Sequence, residues 1–428
     1  VNATRETTPA DLARAARAAL PALAAAEASV RDGFLRALAA RLRAHGGPVL
    51  AGNAADLAAA PHLDASLRDR LRLDAARLEA LAAALERLAE LPDPLGQRFD
   101  ARTLDNGLRL HRRRVPLGVL GVVYEARPNV TIDVAALAIK TGNGAVLRGG
   151  SEARASNRAL VDCVHAALAQ VGLPPEAIGF VDGDGRDQVL AMLECGDGID
   201  LMIPRGGAGL HAFCRQHARM PVVTGGIGIC HLYVDAHADL ARALDVIENA
   251  KTQRPTVCNA LDTVLVHRHV ADVFVPRLVE RLHARGVELR MESRALAAFD
   301  ADGGARPTGV HAAHAGDFDR EWLALVLGVA VVDGMAAAIA HIRRHGSGHS
   351  DGILSDDAAT AAAFLDQVDS AAVYWNASTR FTDGEQFGLG AEVAVSTQRV
   401  HARGPMGLEQ LTSYKWVVEG DYHVRPSA

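Results

Sequence analysis

Over residues 9–95 apolar side chains recur at helical spacing, and Leu35, Leu38 and Leu42 form the i, i+3, i+7 stripe of an amphipathic helix. The stretch is rich in Ala, Leu and Arg, and Ala is the best helix former. Several helices are predicted, with a break at Leu91-Pro-Asp-Pro, where two prolines cannot continue one. The alanine richness follows no fixed period, so it is not read as a repeat.

The texture changes near residue 103. Asn106-Gly107 lies between short strand-like flanks, and Asn-Gly favours the positive φ values of a hairpin turn. A projecting β-hairpin is predicted over 103–115. Apolar strand-like runs then follow at 119–124, 145–148, 179–181, 201–203, 221–224, 231–234, 263–267, 327–332, 352–354 and 372–375. Helical patterns separate most of them, for example at 132–140, 156–171, 186–193 and 240–249. Such alternation predicts an α/β protein with doubly wound parallel sheets and ligands at the strand carboxyl ends. The pattern starts again near 231, which predicts a second α/β lobe. Residues 301–316 are turn-rich and are expected to form an exposed excursion, and 411–426 to form a strand that closes on the hairpin.

Composition narrows the function classes. At roughly 150 residues per domain, 428 residues make two or three lobes. A net charge of −6 gives no electrostatic case for nucleic acid or an anionic membrane, so the basic run Arg112, Arg113, Arg114 is read as a solvated or subunit-facing strand. The strongly apolar run at 115–124 is too short to span a bilayer, which needs about 20 residues, and it contains Pro116 and two glycines. Glu6 and Asp11 precede any apolar run, which does not fit a signal peptide. Five scattered cysteines without a C-x-x-C pair fit a reducing compartment, and the cytoplasm is the expected location.

Cys258 is the leading candidate for chemistry. It lies in a polar, turn-prone stretch, with Lys251 and Arg254 within seven positions upstream. Nearby positive charge favours a reactive thiolate, while burial is the usual fate of a free Cys, so nucleophile and packed thiol both stand. Gly207, Gly209 and Ala212 fit a loose G-x-G-x-x-[GA] pattern after a strand, either a phosphate-facing turn or a tight βα connection. Asn129, entering a helix, is read as an amide donor to an oxyanion or as a helix cap. Arg127, Arg254 and Arg380 are read as clamps for carboxylate or phosphate, or as surface residues. His341, His345 and His349 have no partner at zinc spacing, and no metal site is expected. A Ser-His-Asp hydrolase lacks its G-x-S-x-G elbow.

The stretches VPLGVLGVVYEARPNVT (115–131), LRGGSEA (147–153), IPRGGAGLH (203–211), TGGIGICH (224–231), NAKTQRPTVCN (249–259), HSDGIL (349–354), NASTRFTDGEQFGLGAEVAVST (376–397) and HARGPMGLEQLTSYKW (401–416) resemble the gamma-glutamyl phosphate reductases, or glutamate-5-semialdehyde dehydrogenases. These are the phosphate-dependent branch of the aldehyde dehydrogenase superfamily. The resemblance runs from about residue 103 to 424. It implies an aldehyde dehydrogenase-like fold of two doubly wound α/β domains and a small β oligomerisation element. The implied NADP-binding domain covers 1–102 and 116–230, the catalytic domain 231–375, the oligomerisation element 103–115 and 405–428, and 376–404 returns to the cofactor domain.

The resemblance further implies reduction of L-glutamyl 5-phosphate to L-glutamate 5-semialdehyde and phosphate with NADP(H) as cofactor, the second step of proline biosynthesis from glutamate. A related phosphate-dependent or hydrolytic semialdehyde dehydrogenase is the alternative. Cys258 matches the family nucleophile and Asn129 the Asn of the oxyanion hole. Arg148 stands where a Lys near the adenosine ribose is usual, Gly206 and Gly207 match the turn facing the cofactor phosphates, and Glu321 falls near the nicotinamide-ribose Glu. The substrate is assigned to Arg127, Arg254 and Arg380. A homo-oligomer is implied, and association with glutamate 5-kinase is chemically reasonable. Where hydrolytic relatives carry a water-activating Glu, this chain has Thr224-Gly225-Gly226.

Overall fold

The structure is a computed structural model that describes residues 7–63, 65–183, 185–225, 227–301, 303 and 306–425. The chain divides into two compact units, one made of Val1–Thr224, Gly388–Ala394 and Met406–Ala428, the other of Gly225–Phe387 and Val395–Pro405. Among the described residues no helix is long and apolar enough to cross a membrane.

The first unit begins with the predicted helices. Pro9–Ala25 starts on a capping box in which the Thr8 hydroxyl accepts from the Asp11 N–H and the Asp11 carboxylate accepts from the Thr8 N–H. In Ala28–Ala44 the expected stripe is fully buried, with Phe34 added to Leu35, Leu38 and Leu42. This helix packs against Ala75–Glu90, which ends one residue before the Leu91-Pro-Asp-Pro break. A parallel sheet follows, built from β1 (Val119–Tyr124), β2 (Gly144–Gly149), β3 (Ile178–Phe180) and β4 (Leu201–Arg205) in the order β3-β2-β1-β4. The strand expected at 221–224 is only an isolated bridge between Val222 and Met202. Pro221 has no N–H to extend the pairing backwards and Pro204 on β4 has none to extend it forwards, so it stops after two hydrogen bonds, Met202 N–H to the Pro221 carbonyl and Val223 N–H to the Met202 carbonyl.

The hairpin is longer than expected, with strands Arg98–Thr103 and Arg109–Pro116 around Asn106-Gly107, where Gly107 has φ +88°. Thr412–Glu419 pairs antiparallel with Arg109–Pro116, so a C-terminal strand does close on the hairpin; Pro426 lies outside the described residues. The basic run is occupied within this sheet. Arg112 stacks on Tyr414 and Trp416 at 4.6 and 4.7 Å and pairs with Asp100, while Arg114 meets Glu409 at 2.8 Å.

The second unit is a seven-stranded parallel sheet of β5 (Cys230–Val234), β6 (Leu261–His267), β7 (Glu288–Met291), β8 (Val310–Ala312), β9 (Val326–Val332), β10 (Ser350–Leu354) and β11 (Ala372–Trp375), ordered β8-β7-β9-β6-β5-β10-β11. Both faces are covered. Leu232, Val264, Val266, Val329 and Val331 point into one core, and Tyr233, Leu265, Ala330, Val332 and Ile353 into the other, which is why these strands read as continuous apolar runs. The stretch 301–316 is not wholly an excursion, because β8 extends the sheet as an edge strand beside β7. Residues 302, 304 and 305 lie outside the described residues.

Candidate active site

In the first unit, the candidate residues gather at the carboxyl ends of β1, β2 and β4, where an open parallel sheet receives ligands. After β1 the chain turns through Glu125, Ala126, Arg127 and Pro128 into the helix Asn129–Lys140. Ala126 adopts φ +36°, unusual for a residue with a Cβ, and its N–H donates to the Glu152 carboxylate at 2.6 Å. Pro128, not Asn129, occupies the cap position of the helix. The Asn129 amide instead donates to the Asp133 carboxylate at 2.9 Å, so the capping alternative does not hold. Burial pushes the Asp133 carboxyl up to about 6, against the pull of the Asn129 amide and the Arg205 guanidinium.

Gly206 and Gly207 join β4 to the helix Ala208–His217. The Gly207 N–H donates to the Glu125 carboxylate at 3.1 Å, as a helix N-terminus attracts an anion. Space is open where a Cβ on Gly207 or Gly209 would stand. The Arg205 Nε is buried with no hydrogen-bond partner among the described residues. Bare backbone and a helix N-terminus beside the Arg205 guanidinium together fit the phosphates of a dinucleotide. Arg148, near the end of β2, donates to the Gly185 carbonyl at 3.2 Å.

In the second unit the candidate nucleophile departs from the carboxyl-end expectation. Cys258 is half-buried in the loop between the helix Leu240–Thr252 and β6, at the amino ends of the strands. The physical reason is a close backbone approach at that end. A Cβ on Gly228 would fall 1.6 Å from the Cys258 carbonyl oxygen, so only glycine lets the two segments lie this close. The Cys230 thiol donates to the same carbonyl at 3.2 Å, and burial raises its pKa well above an ordinary thiol, which keeps it a donor. The Gly228 N–H donates to the Glu321 carboxylate at 2.9 Å, which anchors Glu321 beside this loop.

Asn259, next to Cys258, is clamped. Its amide donates to the Thr382 carbonyl at 2.9 Å, its backbone carbonyl accepts from the Thr379 hydroxyl at 2.7 Å, and its side-chain oxygen accepts from Arg380. Arg380 also donates to Gln253 at 2.9 Å. Burial, then the nearby charge of Arg254, lower the Arg380 pKa, while Asp383 and Cys258 raise it. Arg380 is thus within electrostatic reach of both Arg254 and Cys258.

Lys251 does not activate Cys258 as its sequence position suggests. It is fully buried, and its ammonium donates to the Leu261 carbonyl at 2.8 Å and lies 3.7 Å from Asp262. Asp262 in turn accepts from the N–H groups of Trp322, at 3.1 Å, and Cys230, at 3.5 Å, tying the Cys258 and Glu321 loops to the sheet. Helical spacing carried a signal for this, since Leu244, Ile247 and Lys251 share one stripe and all three are buried. Burial already pushes Asp262 up to about 6, with Lys251 pulling it down. In Lys251→Met the Asp262 pKa rises further above its unfolded value of about 3.9. A folded pKa raised in this way contributes stability below the unfolded value and loses it as pH rises through the folded one. The variant is therefore expected to lose about 3 kcal/mol at pH 8, shrinking towards pH 5. Urea unfolding at both pH values checks this, and a loss that grows on acidification would refute it.

In the segment Thr224-Gly225-Gly226, Gly225 has no room for a side chain, because a Cβ there would come within 2.3 Å of the Val395 carbonyl oxygen. Gly226 lies outside the described residues. Among the described residues no group of three or more His, Cys, Asp and Glu side chains is arranged to hold a metal ion.

The sequence model of the aldehyde dehydrogenase family matches residues 1–295. A gamma-glutamyl phosphate reductase of Roseiflexus castenholzii is 54% identical over 414 residues, covering 96% of this chain and 97% of that protein. One from Photobacterium profundum is 51% identical over 417 residues, covering 97% and 99%. The crystal structure of the gamma-glutamyl phosphate reductase of Thermotoga maritima superposes with a TM-score of 0.92 at 41% identity, covering 97% of this chain and 99% of that one. Identity at this level over nearly the whole length places the chain: it belongs to the gamma-glutamyl phosphate reductases of the aldehyde dehydrogenase family.

Proposed function

We propose that this chain reduces L-glutamyl 5-phosphate to L-glutamate 5-semialdehyde, with release of phosphate, as the second step of proline biosynthesis from glutamate. The observation that carries the reading is the near-full-length identity to enzymes named for this reaction, 54% over 414 residues. The cofactor is a nicotinamide dinucleotide, and NADPH is the form proposed, because Arg148 stands near the position where a 2′-phosphate needs a cation.

In this mechanism the Cys258 thiolate attacks the acyl carbonyl. The new C–S bond forms as the carbonyl π pair moves to oxygen, where the Asn129 amide serves the oxyanion. The C–O bond to phosphate then breaks, and phosphate leaves with the electron pair, giving a thioester. A nicotinamide cofactor, when bound, would supply the hydride that reduces this thioester. Collapse of the resulting thiohemiacetal returns the thiolate and frees the aldehyde. The segment Thr224-Gly225-Gly226 carries no water-activating carboxylate, and phosphate, already an anion, needs no strong base in the reverse direction.

Gly206 and Gly207 would hold the cofactor phosphates, Glu321 would meet its nicotinamide ribose, and Arg127, Arg254 and Arg380 would hold the substrate carboxylate or phosphate. The chain is further proposed to form a homo-oligomer through the sheet of Arg98–Thr103, Arg109–Pro116 and Thr412–Glu419, where Tyr414 and Trp416 are exposed, and to associate with glutamate 5-kinase. Light scattering of the chain, alone and with the kinase, tests both associations.

The test of function is oxidation of glutamate 5-semialdehyde with and without phosphate, with NADP⁺ and NAD⁺ compared. Strict phosphate dependence and preference for NADP⁺ are expected, and Arg380→Ala should raise the KM for phosphate or semialdehyde by about tenfold or more. Turnover without phosphate would overturn the reductase assignment in favour of a hydrolytic dehydrogenase.

A further inference from the structure

We infer that Asp133 is the positioning residue for Asn129: its carboxylate takes one N–H of the Asn129 amide and fixes which end of that amide faces the reacting carbonyl. The inference rests on the proposed role of Asn129 as an oxyanion donor.

Asn129 and Asp133 stand four residues apart in the helix Asn129–Lys140, on one face, and their side chains meet at 2.9 Å. That face is unusual. From Val130 to Lys140 every residue is buried except Asp133, so the amide and the carboxylate share the one partly open strip of the helix. An amide has a donor end and an acceptor end that differ little in shape. A carboxylate repels the acceptor end and holds the donor end, so only one orientation survives. The NH₂ group has two N–H bonds. One is used by Asp133, which leaves the second for a developing oxyanion.

A negative charge beside an oxyanion opposes the chemistry, so orientation and not charge is what Asp133 contributes. Arg205 offsets that charge, as its pull on the Asp133 carboxyl indicates. The turn before Asn129 is held separately by Glu152 at Ala126, so the backbone position of Asn129 does not depend on Asp133.

The experiment measures kcat and KM of the phosphate-dependent reaction for Asp133→Ala, Asp133→Asn, Asn129→Ala and the double variant Asn129→Ala/Asp133→Ala. Loss of an oxyanion donor lowers kcat by about 10²–10³-fold, which is expected for Asn129→Ala. Asp133→Ala is expected to lower kcat about tenfold with KM within about twofold, as partial loss of that donor. Asp133→Asn keeps an acceptor oxygen and should restore most of kcat. The double variant should be no slower than Asn129→Ala alone, because Asp133 has nothing left to orient. If the alanine variant is unstable, Asp133→Val, which fills a similar volume without an acceptor, carries the same expectation. Wild-type kcat in Asp133→Ala or Asp133→Val, or losses that multiply in the double variant, would overturn the inference. A near wild-type kcat in Asn129→Ala would instead overturn the underlying role of Asn129, whatever Asp133 does.

Discussion

Cys258→Ser is expected to abolish phosphate-dependent oxidation of glutamate 5-semialdehyde, with kcat at least about 10⁴-fold down. A thiol with an ordinary pKa of about 8.5 provides a usable fraction of thiolate near neutrality. A serine hydroxyl does not, and it needs an adjacent base to act as a nucleophile. Cys258 is half-buried in a loop that carries Arg254 and lies within electrostatic reach of Arg380, two cations that favour the thiolate. The substitution removes one sulfur and leaves the Gly228 approach and the Asn259 clamp in place, so the fold should be retained. Steady-state rates and thermal unfolding of the same preparation check both halves of the expectation. Residual activity above about 1% would remove Cys258 from the mechanism. Iodoacetamide gives an independent reading, because Cys258 should alkylate first and be protected by substrate. Cys163, Cys195, Cys214 and Cys230 should lag, since burial raises the pKa of each.

Gly228→Ala is expected to lower the rate about 10²-fold although it adds one methyl group. The new Cβ would stand 1.6 Å from the Cys258 carbonyl oxygen and 2.5 Å from its carbon, an overlap that no side-chain rotation relieves because both contacts are backbone. One of the two segments must move. Displacement of a reacting group by about 1 Å costs about 10²-fold in rate, and overpacking a tight contact costs about 1–3 kcal/mol of stability. The same shift also disturbs Glu321, whose carboxylate accepts from the Gly228 N–H. Gly33→Ala is the matched control. Gly33 lies inside the helix Ala28–Ala44, and its added Cβ would meet only Val171, at an ordinary 3.8 Å. That change should stabilise by about 0.5–1 kcal/mol and leave the rate alone. Kinetics and denaturant unfolding of the pair decide the matter, and a fully active Gly228→Ala enzyme would mean that the loop tolerates movement.

Much of the fold was legible because most strands here are buried on both faces. Runs such as Val119–Tyr124 and Val326–Val332 admit little polarity, and their β–α alternation announces a parallel sheet. The edge strand at one end of the second sheet and its neighbour were not legible. Val310–Ala312 is three residues long with only Val310 buried, and Glu288–Met291 alternates Leu289 and Met291 with charged residues over too few positions to stand out. The candidate chemistry was legible where a motif is contiguous, as in the NAKTQRPTVCN loop around Cys258 and the EARPN turn around Asn129. It was misleading where proximity in sequence stood in for proximity in space, as with Lys251.

The amino-acid sequence by itself determined the α/β class, the hairpin at Asn106-Gly107, the cysteine, amide and glycine motifs and the family. These depend on local propensity, on the period of apolar positions and on residue order, all carried along the chain. The tertiary structure alone decided that Gly228 and Cys230 back the Cys258 carbonyl, that Asn259 is clamped by 379–382, that Lys251 serves Asp262, and that Asp133 holds Asn129. Most of those contacts join residues ten to more than a hundred positions apart, and even the local ones depend on which face of a helix is buried. A one-dimensional pattern does not encode distance between segments, so only the packed sheet and its loops could assign these partners.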